Sequence, residues 1–349
     1  MIGKDFALSC PLPLTDRKTI VMGHGSGGRL TAQLMRDLFL PAFDNEILRR
    51  LDDQAVVTAG SERIAFTTDS FVVTPLFFPG GDIGRLAVHG TVNDLAMSGA
   101  RPLFLSAAFI LEEGFPLDEL RRIVDSMAEA ARAAGVAIVT GDTKVVNKGS
   151  ADKLFITTSG IGLLPAGRAI SAQLASPGDK VILSGTIGDH GMAVMSVREG
   201  LEFEGTITSD TAPLHQLVEA MLGAGEVHAL RDPTRGGLAT SLCEIASSAG
   251  IGVEIRSDAI PVHHEVKAAC ELLGLDPLFV ANEGKLVAFV PAACLSAVLA
   301  AMRRTPEGRN AAIIGAAVEK HPGMVLLKTE VGGTRILDLP FTEQLPRIC

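Results

Sequence analysis

The sequence contains neither tryptophan nor tyrosine, so its aromatic side chains are the 15 phenylalanines. A ligand site in this chain therefore lacks indole and phenol rings, and a bound base would have to lie among aliphatic groups and backbone. Long apolar runs are also missing. The longest, such as 103–111 and 311–318, fall well short of the roughly 18 residues that indicate a membrane span. We expect no helix that crosses a bilayer.

Cysteine and positive charge are both scarce. The five cysteines are an odd number, widely spread and without a CxxC pair, which argues against a disulfide framework and against a zinc site; they are Cys10, Cys243, Cys270, Cys294 and Cys349. With 31 basic and 40 acidic residues the net charge is −9, which disfavours nucleic-acid binding. The N-terminus lacks the pattern of a signal peptide. These features predict a cytoplasmic protein with reduced thiols.

The 349 residues suffice for roughly two domains, and 47% of them are hydrophobic, as in packed globular proteins. Apolar residues at helical spacing predict a helix over 117–134, and the β-branched run that follows predicts a strand over 136–140. Such segments alternate along the chain. We therefore expect an α/β or α+β protein, with a second half that begins near residue 165.

Five aspartates share one setting, at the end of an apolar segment or in a turn among small residues. Ligands of α/β proteins gather at such positions, and carboxylates there suit Mg²⁺. A single aspartate in this setting more often caps a helix or forms a turn. Five of them together favour a metal site, and they are Asp53, Asp69, Asp94, Asp142 and Asp232.

Two glycine-rich stretches could present backbone N–H groups to a phosphate, one over 23–28 and one at Gly236 and Gly237 ahead of a predicted helix. Taken alone, each is equally well explained as a flexible turn. Lys144 and Glu283 lie in loop-like segments, where they could contact a phosphate and move a proton. Cys349 is the last residue of a proline-bearing segment, which predicts an extended, mobile tail with a thiol at its end.

Together, several blocks of residues resemble the HypE family of hydrogenase expression/formation proteins, within the aminoimidazole ribonucleotide synthetase-like superfamily. The resemblance covers the chain from about Gly23 to Cys349, and the first 20 residues are a lead to which it assigns no role. The blocks are GHGSGG, TTDSFVVTPLFFPGGDIG, GTVNDLAMSGA, ILEEG, AIVTGDTKVV, SGTIGDHG, RDPTRGGL, ANEGKL and the terminal PRIC.

The resemblance implies a two-domain fold in which the N-terminal domains of two chains form a dimeric β-barrel and the C-terminal domain is α/β. We accordingly expect a lead, glycine-rich arm and helix over 1–40, and an ATP-binding and dimerisation domain over 41–165. The C-terminal domain would span 166–335. A mobile tail over 336–349 would carry the acceptor cysteine.

The activity that the resemblance implies is a carbamoyl dehydratase of [NiFe]-hydrogenase maturation. HypF would carbamoylate Cys349, ATP and Mg²⁺ would serve the dehydration of this S-carboxamide to a thiocyanate, and the cyanide would pass to iron on a HypC–HypD complex. The implied catalytic residues are Cys349, Glu283 and Lys144. The implied nucleotide contacts are Gly25, Ser26, Gly27, Gly28, Asp69, Asn93, Thr143, Arg235 and Gly236, and the implied metal ligands are Asp53, Asp94, Asp142 and Asp232.

Two alternatives stay open at this point. The chain could be a passive carrier, whose tail holds a group that a partner transforms. It could also be another ATP-dependent synthetase or kinase of the superfamily, although a selenophosphate synthetase would need a cysteine or selenocysteine followed closely by lysine in the glycine arm. The segment 23–29 has neither.

Overall fold

A computed structural model describes residues 19–201, 207–340, 345 and 347–349. Much of the predicted lead and part of the predicted tail lie outside these residues. The first half of the described chain is built on a five-stranded sheet with the order β1-β2-β7-β5-β6, in which only the β5–β6 pair is parallel. Its strands are β1 (Ala55–Ala59), β2 (Glu62–Phe71), β5 (Arg101–Glu112), β6 (Ala137–Val146) and β7 (Leu154–Leu164), and a short hairpin of β3 (Phe77–Phe78) and β4 (Gly81–Asp82) follows β2.

One face of this sheet is covered by α3 (Ile83–Met97), which packs against α4 (Leu117–Ala133). Asp82 caps α3, since its Oδ1 accepts hydrogen bonds from the N–H groups of Gly84 and Arg85. The opposite face carries a row of exposed apolar side chains, Phe66, Ile161 and Phe104, on neighbouring strands. Within the described residues the sheet is open, with β1 and β6 at its edges, and the expected barrel is not closed within this chain.

The second half is built on a seven-stranded sheet with the order β14-β13-β10-β12-β8-β11-β9. Its helices pack through an interior rich in valine, leucine and isoleucine. The strands are β8 (Lys180–Leu183), β9 (Ala229–Arg231), β10 (Gly252–Arg256), β11 (Val287–Val290), β12 (Ala312–Val318), β13 (Val325–Lys328) and β14 (Thr334–Leu337), and the helices are α5 (Asp189–Arg198), α6 (His215–Ala224), α7 (Gly237–Ala249), α8 (His264–Leu273) and α9 (Leu295–Met302).

The N-terminal arm ends in a helical segment, α1 (Arg29–Leu34), a π-helical turn Met35–Phe39 and α2 (Leu40–Phe43). The arm touches the beginning of the tail, because the N–H of Arg29 donates to the carbonyl of Pro340 at 2.9 Å. The end of the tail is docked as well, and Leu345 and Ile348 are buried in a core shared by both halves. Among the described residues, no helix combines the length and apolar character needed to span a membrane.

Most predicted elements are confirmed, such as α4, whose apolar face the sequence pattern marks clearly. Two site residues lie in another element than the sequence suggested, because β6 extends beyond the predicted 136–140 so that Asp142 and Lys144 belong to a strand. The sequence pattern underestimates the length of β6, because the side chains of this strand are exposed on both faces. The strand therefore lacks the apolar alternation of a half-buried strand.

Candidate active site

A cavity of ≈ 210 Å³ lies where β2, α3, the loop after β9 and the end of the tail meet. Five of its lining residues are acidic, one is a cation, and one is the C-terminal cysteine. The lining consists of Asp53, Thr68, Asp69, Ser70, Phe71, Gly90, Asp94, Asp232, Thr234, Arg235, Glu283 and Cys349. Four of the predicted aspartates and two of the three predicted catalytic residues therefore share one cavity.

The carboxylates are held by neighbours that sequence reasoning did not single out. Thr67 Oγ1 donates to Asp94 Oδ2 at 2.7 Å from the adjacent strand. The buried guanidinium of Arg231 donates from Nε to Asp53 Oδ1 at 2.9 Å and from Nη2 to the carbonyl of Leu51 at 2.8 Å. In the sequence, only two features point to the contacts of Thr67 and Arg231. They are the alternation of side chains along β2 and the position of Arg231 directly before Asp232.

Burial and mutual repulsion raise the pKa values of these acids. Burial raises the pKa of Asp53 to about 6. Burial raises the pKa values of Asp94 and Asp232 well above their usual range, and neighbouring carboxylates raise them further. Burial also raises the pKa of Asp69, although Arg235 and a hydrogen bond shared with Asp94 oppose this shift. The cavity thus concentrates negative charge that its own cations do not balance.

The donor set of this cavity fits Mg²⁺. Carboxylate oxygens are its preferred protein ligands, and uncompensated buried carboxylates gain most from a cation. Across the part of the chain that the structure describes, no three ligating side chains already converge as a finished metal centre. This arrangement suits Mg²⁺, which usually takes one or two carboxylates and keeps waters and substrate phosphates as its other ligands.

Glu283 lies in the loop before β11 and is 3% exposed. Its Oε1 is buried and accepts no hydrogen bond from any described residue. Burial raises the pKa of Glu283 well above its usual range, and the nearby Asp232 and Asp210 add to the shift. A buried carboxylate with an unsatisfied oxygen, facing a cavity, is poised to accept a proton.

Asn93 holds the Glu283 loop in place. Its Nδ2 donates to the carbonyls of Ala212 at 3.1 Å and Glu283 at 3.3 Å, and its Oδ1 accepts from the N–H of Leu214 at 2.8 Å. The side chain is 1% exposed and does not line the cavity. The prediction that Asn93 contacts a nucleotide finds no support in this geometry, because backbone groups take up both amide hydrogens and the amide oxygen.

The glycine arm meets the loop that carries Arg235. Arg235 Nη1 donates to the carbonyl of Gly25 at 3.3 Å, and a Cβ on Gly27, whose φ is +76°, would lie 3.0 Å from the carbonyl oxygen of Arg235. Ser26, Arg235 and Gly236 line a second, smaller pocket beside Pro340 and Ile348. The predicted arm residues and the predicted Arg235–Gly236 turn are therefore neighbours.

Gly236 precedes the first turn of α7 with φ +77°, and a Cβ there would lie 2.2 Å from Thr240 Oγ1. Thr240 is 2% exposed, and its Oγ1 has no hydrogen-bond partner among the described residues. An open helix N-terminus with an unsatisfied hydroxyl beside it fits a phosphate oxygen. Sequence reasoning found Gly236 but not Thr240.

Asp142, Thr143 and Lys144, which were predicted as a metal ligand, a nucleotide contact and a catalytic residue, do not line this cavity. Lys144 Nζ lies 2.8 Å from Asp142 Oδ2, and the two side chains are 69% and 62% exposed. Asp142 is paired with Ala108, one residue along from the row that contains Asp69. Because successive strand residues point to opposite faces, Asp142 and Lys144 project from the open face of the sheet, opposite to the side chain of Asp69. Thr143, between them on the edge strand, does not line the cavity either.

This fold and site define an AIR synthase related protein. The family model of the AIR synthase related N-terminal domain matches residues 51–164, and that of the C-terminal domain matches residues 176–327. A solved structure of a HypE–HypF complex aligns with a TM-score of 0.84 at 53% identity, covering 88% of this chain and 99% of that chain. A structure of the hydrogenase maturation protein HypE in complex with ATP aligns with a TM-score of 0.80 at 50% identity, covering 95% and 100%.

Sequence comparison narrows the class further. The carbamoyl dehydratase HypE of Cupriavidus necator is 59% identical over 333 residues, which are 95% of this chain and 95% of that protein. The chain belongs to the HypE family of hydrogenase maturation proteins.

Proposed function

We propose that this chain is a carbamoyl dehydratase of [NiFe]-hydrogenase maturation, which uses ATP to convert an S-carboxamide on Cys349 to a thiocyanate. The observation that carries the proposal is the place of Cys349. The last residue of the chain lines the same cavity as the buried Glu283 and the aspartates, so the chain presents its own terminus to its own acidic site.

The reaction removes one water from R–S–C(=O)–NH₂ and leaves R–S–C≡N. The amide oxygen attacks the γ-phosphorus of ATP, ADP departs, and the nitrogen loses one proton. Loss of the second N–H proton then forms the C≡N bond and breaks the C–O bond, so that oxygen leaves as phosphate. Phosphorylation is needed because the amide oxygen alone is a poor leaving group.

Glu283 is the base that we assign to the N–H protons. Burial gives its carboxylate a raised pKa, so the ionised form accepts a proton more readily than an exposed glutamate does. Arg235 faces both Cys349 and Glu283, and the negative charges at Cys349, Asp69 and Glu283 raise its pKa. Arg235 therefore stays a cation and can hold a phosphate next to the tail.

Asp53, Asp69, Asp94 and Asp232 are the residues that would hold Mg²⁺, and Gly236 and Thr240 would hold phosphate oxygens. Bound Mg²⁺ neutralises phosphate charge and so favours phosphoryl transfer. The glycine arm, from Gly25 to Gly28, lies against Arg235 and can close over the nucleotide.

We further propose that two chains pair through the open face of the first sheet. A row of exposed apolar side chains crosses that face, and the edge strand β6 is exposed along almost its full length. Monomers seldom leave such a sheet face and edge uncovered. A second copy would cover both and would bring its Asp142, Thr143 and Lys144 towards the site of its neighbour, which one chain alone cannot do.

The partners follow from the reaction. Cys349 would leave the cavity to be carbamoylated by HypF, and it would leave again to pass cyanide to iron on a HypC–HypD complex. A solved complex of HypE with HypF supports the first partner. The eleven residues 339–349, fully extended, reach at most about 40 Å, which is enough for the thiol to emerge from the cavity.

The test is the intact mass of the protein carbamoylated on Cys349, with and without MgATP. We expect the loss of one water with MgATP, no modification in Cys349→Ala, and a persistent carboxamide in Glu283→Gln. Glu271→Gln, an exposed site on α8, makes the same charge change and should leave the conversion intact. If Glu283→Gln converted the tail as fast as the wild type, the assignment of the base would be wrong.

A passive carrier is not favoured, because a carrier has no use for a buried base and an acidic cluster beside the carried group. The high identity to HypE proteins over 95% of the chain also disfavours another synthetase or kinase of the superfamily. If the carboxamide persisted in the wild-type protein while MgATP bound normally, the passive-carrier function would be favoured instead.

A further inference from the structure

The end of the tail is held by its backbone. The carbonyl of Cys349 accepts from the N–H of Val72 at 3.1 Å, and the carbonyl of Arg347 accepts from the N–H of Thr74 at 3.3 Å. The two segments therefore run antiparallel and are joined through their main chains, although Arg347 has a left-handed φ of +57° and neither segment is a β-strand. The terminus is thus held beside the segment that follows β2 by contacts to its main chain rather than to its side chains.

His190 holds the carbonyl between these two contacts. Its Nε2 lies 2.8 Å from the oxygen of Ile348, and its Nδ1 lies 2.8 Å from Ser209 Oγ. A carbonyl only accepts, so Nε2 carries the hydrogen and Nδ1 accepts from the hydroxyl of Ser209. The ring is fully buried and packs edge-on against Phe78, which fixes the donor in one direction.

Arg198, at the end of α5, joins the tail to the segment beside it. Its Nε donates to the carbonyl of Thr74 at 2.8 Å, and its Nη2 donates to the carbonyl of Arg347 at 2.7 Å. One guanidinium thus bridges the two paired segments. Hydrogen bonds from a charged donor contribute more than neutral ones, so this bridge is a main restraint on the docked tail.

Neither His190 nor Arg198 lines the cavity that holds Cys349. Their contacts to the described residues of the tail lie one and two residues before the cysteine and are made to carbonyl groups. These hydrogen bonds therefore do not depend on whether the sulfur of Cys349 carries hydrogen, a carboxamide or a cyano group. These are the properties of positioning residues rather than of catalytic residues.

We propose that His190 and Arg198 form a clamp that sets how often Cys349 is docked in the cavity and how often it is available to a partner. As a role in the tail's reactions, this inference rests on the proposed function, since loading requires the tail outside and dehydration requires it inside. Loosening the clamp accelerates the first step and slows the second. A mutation that merely damages the fold would slow both.

The first measurement is independent of the reaction. A polyethylene glycol maleimide is far too large for a cavity of ≈ 210 Å³, so the rate at which it modifies Cys349, read on the C-terminal peptide, reports release of the tail. We expect Arg198→Met to raise this rate about tenfold, the factor for one lost hydrogen bond to a charged group. The gain in labelling and the loss of dehydration rate multiply to this factor in a two-state equilibrium, so a tail that is mostly docked shows nearly all of it in labelling and only a small fall in the dehydration rate.

A matched control exists in the second half. Arg303 donates from Nε and Nη2 to the carbonyl of Ala311 at 3.1 and 2.9 Å, so Arg303→Met removes the same kind of contact far along the chain from the tail. It should leave the labelling of Cys349 unchanged. If Arg198→Met does not fold, Arg198→Lys, which keeps one charged donor, and His190→Leu replace it, each with an expected increase in labelling.

Unchanged labelling of Cys349 in folded Arg198 and His190 variants would overturn the clamp. Faster labelling combined with faster dehydration would also overturn it, because loosening the clamp cannot increase the docked fraction. Faster labelling in a protein whose wild-type form performs no dehydration would uphold the clamp and reject the proposed function instead. The two proposals therefore fail in different ways.

Discussion

Individual carboxylates in the cavity work against the stability of the metal-free protein. The pKa of a buried acid such as Asp94 is higher in the folded than in the unfolded chain, so folding favours its protonated form. Its contribution is fully present below the unfolded pKa and is lost as the pH rises towards the folded pKa. For Asp53, whose pKa is about 6, that loss occurs between about pH 4 and 6.

Asp94→Asn should stabilise the metal-free protein at pH 8 and abolish dehydration. The amide keeps an acceptor for Thr67 but carries no charge, so the repulsion from its acidic neighbours disappears. We expect Tm to rise by about 1–2 °C, the equivalent of about 1 kcal/mol in a chain of this size. The rise should be smaller near pH 5, because the raised pKa of Asp94 favours its protonated form as the pH falls.

Thermal unfolding at the two pH values, without and with Mg²⁺, checks this prediction. Mg²⁺ should raise the Tm of the wild type more at pH 8 than at pH 5, and should raise that of Asp94→Asn less. Asp125→Asn, on the exposed face of α4, is the control and should change nothing. A lower Tm for Asp94→Asn at pH 8 would contradict the electrostatic account.

At the scale of elements, the glycine arm and the beginning of the tail are in direct contact. A Cβ on Gly28 would lie 2.3 Å from the carbonyl oxygen of Pro340, too close for either backbone to remain in place. Gly28→Ala should therefore separate the arm from the tail and lower the dehydration rate about tenfold, because overpacking costs roughly 1–3 kcal/mol.

Single-turnover rates of Gly28→Ala, with unfolding curves to show an intact fold, check this expectation. Gly223→Ala is the matched control, since a Cβ on Gly223 within α6 meets no atom within 4 Å. A Gly28→Ala protein with the wild-type rate would mean that the arm and the tail act independently.

The extent to which the sequence predicts these elements depends on their burial. α4 is predicted almost to the residue because one of its faces is apolar, and Glu283 is correctly expected in a loop. The bounds of β6 are not predicted as closely, because an exposed edge strand carries no apolar alternation. His190 and Arg198 escape prediction for another reason: they contact backbone groups far away along the chain, and spacing in the sequence does not reveal such contacts.

At the scale of the whole molecule, the face on which Lys144 lies decides how many chains make one site. Within one chain, Glu283 lines the cavity and Lys144 does not. Lys144→Ala and Glu283→Gln should each be inactive alone. When the two variants are co-expressed, mixed dimers should contain one complete site, and statistical mixing gives about a quarter of the wild-type activity.

The control pair is Glu283→Gln with Cys349→Ala, which should stay inactive because both groups act within one chain. Size measurements by light scattering should show the same dimer for every combination. No recovery in the first pair, in dimers shown to be mixed, would contradict the delivery of Lys144 by the partner copy.

The most direct test of the central claim, that Cys349 reacts in the cavity of its own protein, is a single turnover of carbamoylated protein with MgATP, followed by the infrared C≡N stretch. With neither HypF nor an acceptor present, the band should appear with MgATP alone, at a rate independent of protein concentration across the range in which the dimer persists. A carboxamide that persists, or a rate that rises in proportion to protein concentration, would contradict the account.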